Sequence, residues 1–279
     1  MKILLNNIDL NEALFGKSNI GFVPTMGSLH DGHISLIKKS LKLSNKTIVS
    51  IFVNPKQFNN KKDYKRYPRN IKKDLRILKR LKVDFVYLPK IKDVYKFANK
   101  VKIKLKKQDK ILCAKYRKGH FEGVINVMTR FTQIINPSKI FMGEKDFQQT
   151  VIVQKIIDNY FENIKMIVCP TVRSKDGLAL SSRNSLLSKH AKKNISVIYD
   201  SLLFAKQNFY KFSSGELKNI IKNKIEENEG FVLEYFELRC SKTLKVCTRE
   251  NIKNCCCRAF ICVVVEDVRL IDNLVINEN

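Results

Sequence analysis

The feature that most constrains this chain is an alternation. From about residue 19 to residue 169, short apolar and β-branched runs take turns with segments whose apolar residues recur at helical spacing. Asn19 to Pro24 (NIGFVP) reads as a strand, and Ile34, Ile37 and Leu41 then repeat along one helix face. Thr47 to Val53 (TIVSIFV) is nearly all apolar, as a strand covered on both faces should be. Ile71, Leu75 and Leu78 mark the next helix, and Val83 to Leu88 (VDFVYL) the next strand. Val124, Val127, Met128 and Phe131 predict a helix, Ser138 to Met142 (SKIFM) a strand, Phe147, Val151 and Ile156 a helix, and Ile164 to Cys169 (IKMIVC) a last strand. Strands separated by helices form a parallel sheet with right-handed crossovers.

Near residue 180 the pattern changes. Helical stretches at about 188–210 and 214–228 come first, then the strand-like runs Phe231 to Arg239 and Ala259 to Val265. Helices grouped before strands predict a smaller α+β domain. The polar turn Ser174-Lys175-Asp176-Gly177 places the join, so the expected division is 1–178 and 179–279. A chain of 279 residues suits two domains of these sizes.

Lys and Arg number 53 against 26 Asp and Glu, a net charge of +27. Such an excess first suggests nucleic acid. The basic residues are scattered, however, as at Lys61, Lys62, Lys65, Lys72, Lys73, Lys79 and Lys82, with no row of aromatics between them. Lys, Asn and Ile abound while Gly numbers 10 and Trp is absent, as coding drift in an AT-rich genome would produce. A solvated surface with no specific nucleic-acid partner is expected. No apolar run approaches the ~18 residues of a membrane span. The first 17 residues carry acids and Asn inside their apolar stretch, which makes a poor signal peptide. A soluble, cytoplasmic protein without a membrane partner is the expectation. Five of eight cysteines (Cys247, Cys255, Cys256, Cys257 and Cys262) crowd near the C-terminus without CxxC spacing or a neighbouring His. They read as reduced, partly buried thiols rather than a disulfide scaffold or a zinc site.

The most informative segment is Pro24-Thr25-Met26-Gly27-Ser28-Leu29-His30-Asp31-Gly32-His33, between the first predicted strand of the alternation and its helix. In a parallel sheet that junction lies at a carboxyl end, where ligands bind. His30 and His33, three apart at a helix start, can face one point. The helix end offers N–H groups and a positive dipole to phosphate, and two imidazoles can donate hydrogen bonds as charge develops. At the turn Gly143-Glu144-Lys145-Asp146, Lys145 can point at phosphate as a compact cation. Gln57 and Gln149 are neutral groups that both donate and accept, which suits a ligand bearing hydroxyls and a carboxylate. Ser181-Ser182-Arg183 puts two hydroxyls and a guanidinium on one loop, suited to phosphate oxygens.

His-x-Gly-His after a first strand resembles the adenylyl-transferring branch of the nucleotidyltransferase superfamily. The flanking sequence is more specific. PTMGSLHDGHISLI resembles the opening motif of the pantothenate synthetase (pantoate–β-alanine ligase) family. SIFVNPKQF (50–58), RYPR (66–69), KGHFEGV (118–124), MGEKDFQQ (142–149) and RSKDGLALSSRN (173–184) match further motifs in the same order, so the resemblance runs from about residue 20 to 187. Lys56 stands where that family usually has Thr, Asn59 for Gly, Lys118 for Pro and Glu122 for Asp.

The resemblance implies a Rossmann-like α/β domain with a smaller C-terminal α+β domain, and an AMP-forming ligation of pantoate to β-alanine through a pantoyl adenylate, with ATP as a substrate carrying Mg2+. It implies His33 as the principal catalytic residue, aided by His30 and Lys145. ATP would be held by Met26 to His33 (including Asp31 and Gly32), Gly143, Glu144, Lys145, Asp146, Val172, Leu180, Ser181, Ser182 and Arg183, and pantoate and β-alanine by Gln57 and Gln149. A homodimer is implied too. Two alternatives compete: a nucleotidyltransferase with another acceptor, where a phosphate-bearing acceptor would call for more cations than the neutral Gln57 and Gln149 suggest, and a basic RNA-binding protein on a worn-out ligase fold.

Overall fold

The computed structural model describes residues 1–96, 105, 110–248 and 255–277. The chain divides into two compact units, Met1–Lys106 with Cys113–Thr171, and Lys107–Leu112 with Val172–Asn279.

In chain order the elements of the first unit are β1 (Lys2–Leu4), α1 (Asn7–Leu14), β2 (Ile20–Thr25), α2 (Asp31–Leu43), β3 (Lys46–Ile51), α3 (Lys61–Arg66), α4 (Ile71–Arg80), β4 (Phe85–Tyr87), α5 (Ile91–Tyr95), α6 (Cys113–Tyr116), α7 (His120–Ile135), β5 (Lys139–Gly143), α8 (Phe147–Tyr160) and β6 (Lys165–Cys169). Among the described residues these strands form one six-stranded parallel sheet in the order β1-β4-β3-β2-β5-β6. From β2 the chain steps to β3 and β4 on one side, then returns after α7 to the other side as β5 and β6. Strand order therefore reverses between β2 and β5, which pair at Gly21↔Lys139 and Phe22↔Ile140. The crevice beyond their carboxyl ends is where open parallel sheets take ligands.

Packing follows the sequence pattern. Leu36 and Ile37 of α2 and Ile77 and Leu78 of α4 cluster with Val23, Val49, Val86 and Phe141 of the sheet. Phe131 of α7 lies edge-on to Phe22 at 5.7 Å, Phe52 at 5.9 Å and Tyr87 at 6.1 Å, the arrangement that aromatic quadrupoles favour. Two buried polar side chains of these strands are paired: Thr47 meets the Ser40 hydroxyl at 2.9 Å, and Thr25 donates to the Ser50 carbonyl at 2.7 Å. The alternation that starts at Asn19 leaves out β1 and α1, since a three-residue edge strand is too short to show a period.

In the second unit α9 (Lys189–Lys193), α10 (Val197–Asn208) and α11 (Ser214–Glu226) precede an antiparallel sheet of β7 (Phe231–Cys240), β8 (Cys257–Val265) and β9 (Val268–Val275), in the order β7-β8-β9. Leu202 and Ala205 of α10 and Leu217, Ile221 and Ile225 of α11 share a core with Phe236, Ile261, Val263 and Leu270 of the sheet. The helix predicted over 188–210 is two helices: α9 ends at Lys193 and α10 starts at Val197. β9 is not legible as an apolar run because Arg269, Asp272 and Asn273 interrupt it. Arg269 pairs with Glu234, and Asp272 takes both guanidinium nitrogens of Arg173 at 2.5 and 2.9 Å. All eight cysteines are free. Among the described residues no helix is long and apolar enough to cross a membrane.

Candidate active site

The loop after β2 is built by its own side chains. Thr25 Oγ1 accepts from Gly27 N–H at 3.1 Å. Gly27 and Ser28 both have left-handed backbone, φ +77° and +52°. A Cβ on Gly27 would lie 2.9 Å from Ile51 Cγ2 and 3.0 Å from Asp74 Oδ2, so glycine is required there for space as well as for φ. Asp74, from α4, accepts Ser28 N–H and Leu29 N–H on its two carboxylate oxygens, each at 2.8 Å.

The two histidines form a reciprocal cap on α2. His30 Nδ1 accepts from Gly32 N–H at 3.1 Å, and His33 Nδ1 accepts from His30 N–H at 3.3 Å. A backbone N–H can only donate, so both Nδ1 atoms are unprotonated and each neutral ring carries its proton on Nε2. The ring centroids are 4.1 Å apart. One expectation from the sequence changes here. A helix start with open N–H groups for phosphate is what the motif predicts, but the N–H groups of Gly27, Ser28, Leu29, His30 and Gly32 all have acceptors within the loop, its two histidines or α4. The two histidines contribute their imidazole Nε2–H groups as donors.

Burial, and then the Lys145 ammonium, lower the His30 pKa to about 4, although Asp146 and Asp31 pull the other way. Burial, His30 and Lys145 push His33 well below its ordinary value. His33 is thus a partly buried, uncharged donor. A base whose folded pKa is depressed binds fewer protons in the folded state than in the unfolded chain between the two pKa values. Stability from His30 is therefore complete above about pH 6.5 and is lost as pH falls through 6.5 to about 4. Urea midpoints should be flat between pH 7 and 8 and should decline between pH 6 and 4. In Lys145→Met only the folded-state pKa rises, so the decline should begin at the same pH, end at higher pH and be smaller, and proton NMR of the His30 ring would show the raised pKa directly.

Lys145 reaches the histidines from the neighbouring carboxyl end. β5 ends at Gly143, the short 3-10 turn Glu144–Asp146 follows, and α8 starts at Phe147. The ammonium lies 3.5 Å from Asp146 Oδ1 and is largely buried. β2 and β5 flank the strand-order reversal, so His30, His33 and Lys145 meet at that point of the sheet.

Gln57 ends the 3-10 turn Pro55–Gln57 that follows β3. Its Nε2–H donates to Met26 Sδ at 3.1 Å, which ties it to the β2 loop, and its Oε1 accepts from Asn54 Nδ2 at 3.1 Å. Asn54 is 1% exposed and has every polar atom engaged: Nδ2 also donates to the Gly123 carbonyl at 3.1 Å, and Oδ1 accepts from Lys56 N–H at 3.2 Å and Tyr95 OH at 2.8 Å. His120 Nδ1–H donates to the Gln57 carbonyl at 2.8 Å, a tautomer set by the Arg117 guanidinium 3.1 Å from Nε2. The unusual Lys56 stacks its ammonium 3.8 Å over the Tyr95 ring, so that departure is absorbed locally. Lys118 leaves Arg117 and His120 converged on Gln57. Gln149 lies partly buried in the first turn of α8, and its side chain makes no hydrogen bond among the described residues.

The remaining candidates belong to the second unit. Arg173 and Ala179 bridge antiparallel, and Leu180 N–H donates to the Val172 carbonyl at 3.0 Å. Ser181 Oγ caps the turn Ser182–Leu186 by accepting from Arg183 N–H at 3.3 Å. Ser182, next in the turn, is itself buried.

Sequence reasoning passed over Asn54 and Asp74. Asn54 lies inside the matched 50–58 stretch and Asp74 five residues beyond the 66–69 one, but nothing in the pattern marks a buried Asn, or an Asp on a lysine-rich stretch, as a partner of backbone groups.

A doubly wound parallel sheet with paired neutral imidazoles and a lysine at its switch point defines a nucleotide-dependent α/β enzyme. Known proteins narrow the class. The model of the Pantoate-beta-alanine ligase family matches residues 5–275, and the chain belongs to that family of ATP-dependent ligases. The match extends past residue 187, where the motifs legible by residue end. A pantothenate synthetase of Flavobacterium psychrophilum is 40% identical over 269 residues, covering 95% of this chain and 94% of that protein. The crystal structure of pantothenate synthetase from Thermus thermophilus superposes with a TM-score of 0.91 at 31% identity, covering all of both chains. The Francisella tularensis pantoate-beta-alanine ligase, complexed with beta-gamma ATP and beta-alanine, superposes with a TM-score of 0.83 at 37% identity, covering 100% of this chain and 99% of that one.

Proposed function

We propose that this chain joins pantoate to β-alanine in two steps through a pantoyl adenylate. The observation that carries the reading is the pair of uncharged Nε2–H donors beside the Lys145 ammonium at the switch point. An ionised carboxylate needs no base at pH 7, only position. Its oxygen attacks the α-phosphorus of ATP and pyrophosphate leaves, while His33, His30 and Lys145 take up the charge that grows on the phosphate oxygens. Neutral imidazoles suit this role, since they donate without holding the product as tightly as two imidazolium ions would. The amine of β-alanine then attacks the acyl carbon and AMP leaves. ATP enters as its magnesium complex, with the cation on phosphate oxygens. Gln57 and Gln149 orient pantoate, and Met26 to His33, Gly143 to Asp146, Val172 and Leu180 to Arg183 contact the nucleotide. A homodimer without specific nucleic-acid binding completes the reading.

The test is isotope exchange. Labelled pyrophosphate should enter ATP when pantoate is present and β-alanine is absent, because adenylation alone is reversible and needs only the first two substrates. Exchange without pantoate, or only with β-alanine, refutes the two-step order.

A further inference from the structure

Asp74 lies outside every group to which the reaction has so far been assigned, yet it holds the segment that carries both histidines. It is 1% exposed, and each carboxylate oxygen takes one loop N–H, Ser28 on Oδ2 and Leu29 on Oδ1, both at 2.8 Å. The left-handed backbone at Gly27 and Ser28 turns these two successive N–H groups to one side, as loops do when they form an anion-binding concavity. Here a carboxylate of the protein itself fills the concavity. Ser28 is not glycine, and φ +52° is a conformation that a serine keeps only when its surroundings hold it. The next residues are His30 and His33, whose mutual cap begins at the His30 N–H directly after Leu29.

We propose that Asp74 is a positioning residue for the ligase reaction: an internal carboxylate that occupies the loop's anion-binding concavity, fixes the turn at Gly27–Ser28, and so aims the two imidazoles at the phosphates. It touches no substrate. It acts through the backbone of Ser28 and Leu29, and it explains why the loop meets phosphate with side-chain donors instead of with these N–H groups. The inference rests on the reading that His30 and His33 face the phosphates.

The test uses Asp74→Ala and Asp74→Asn in the full chain, with AMP release measured in the presence of ATP, pantoate and β-alanine. That readout does not depend on whether an adenylate forms first. Asp74→Ala should lose about 10- to 100-fold in kcat, the scale of a displacement of about 1 Å among catalytic groups. Sodium formate, a carboxylate small enough for the vacated space, should restore a several-fold part of the loss. Sodium chloride at equal ionic strength and the neutral isostere formamide should not. Asp74→Asn keeps the shape and one acceptor but sets an amide N–H2 against one loop N–H. Its kcat should fall between the two, without response to formate and with a melting temperature near that of the parent. A kcat at the parent level in either variant overturns the proposal, as does recovery of Asp74→Ala that is no greater with formate than with chloride. If Asp74→Ala does not melt cooperatively, the kcat of Asp74→Asn decides alone. Parent-level activity in His30→Ala and His33→Ala would instead sink the reading on which the inference rests, and is measured separately.

Discussion

His33→Ala should lower turnover by about 10²- to 10³-fold, the range seen when one preorganised donor to a developing negative charge is removed. The side chain has two jobs, and their magnitudes separate them. Its Nδ1 accepts the His30 N–H at 3.3 Å as part of the cap on α2. Losing a capping side chain costs typically about 1 kcal/mol of stability. Its Nε2–H is the donor assigned to phosphate, and a loss of 10² to 10³ in rate corresponds to roughly 2.7–4 kcal/mol of transition-state stabilisation. A small shift in melting with a large fall in kcat is therefore the expected signature. An equal, modest change in both would mean that His33 serves α2 and not the chemistry. The pH profile gives an independent reading. Both rings are held uncharged by burial and Lys145, so no activity step centred on the ordinary histidine value should appear on acidification; the fall belongs lower, towards pH 4.

The parallel sheet was legible because strands buried on both faces must be apolar throughout. Ile48 and Val49 show this, and so does Ile140 to Met142. The place of the loop was legible because Gly27, His30, Gly32 and His33 follow an apolar run and precede a helical repeat, and the loop does lie between β2 and α2. What could not be read was which of the loop's N–H groups are engaged within the chain itself. The same segment allows an open helix end or a closed reciprocal cap, and the choice is made by Asp74, 46 positions from Ser28. The support of Gln57 was hidden for the same reason: Asn54, His120 and Gly123 reach it from a turn and a helix up to 69 residues apart. In the second unit a polar strand such as Val268–Val275 defeats a hydrophobic pattern because its charges are neutralised by residues far away in sequence, Glu234 and Arg173.

Gly123→Ala should be the most damaging single methyl group in the first unit. Gly123 lies on α7 where that helix crosses the Pro55–Gln57 turn. A Cβ there would sit 2.3 Å from the Lys56 carbonyl oxygen and 2.6 Å from Gln57 Cα. Those are backbone atoms, so no rotamer change relieves the clash; the turn or the helix must move. Overpacking of this kind costs typically about 1–3 kcal/mol. The movement also falls on the residues that aim Gln57, since Asn54 Nδ2 is bonded to both the Gly123 carbonyl and Gln57 Oε1. The KM for pantoate should therefore rise about tenfold or more, the effect of about 1.4 kcal/mol in binding, while the KM for ATP changes little. Gly143→Ala is the control: its φ is −85° and a Cβ would meet nothing within 4 Å, so its melting temperature should match that of the parent. If Gly123→Ala melts with the parent and binds pantoate normally, the helix and the turn have room that the described backbone does not provide, and Gln57 is not held in place by their contact.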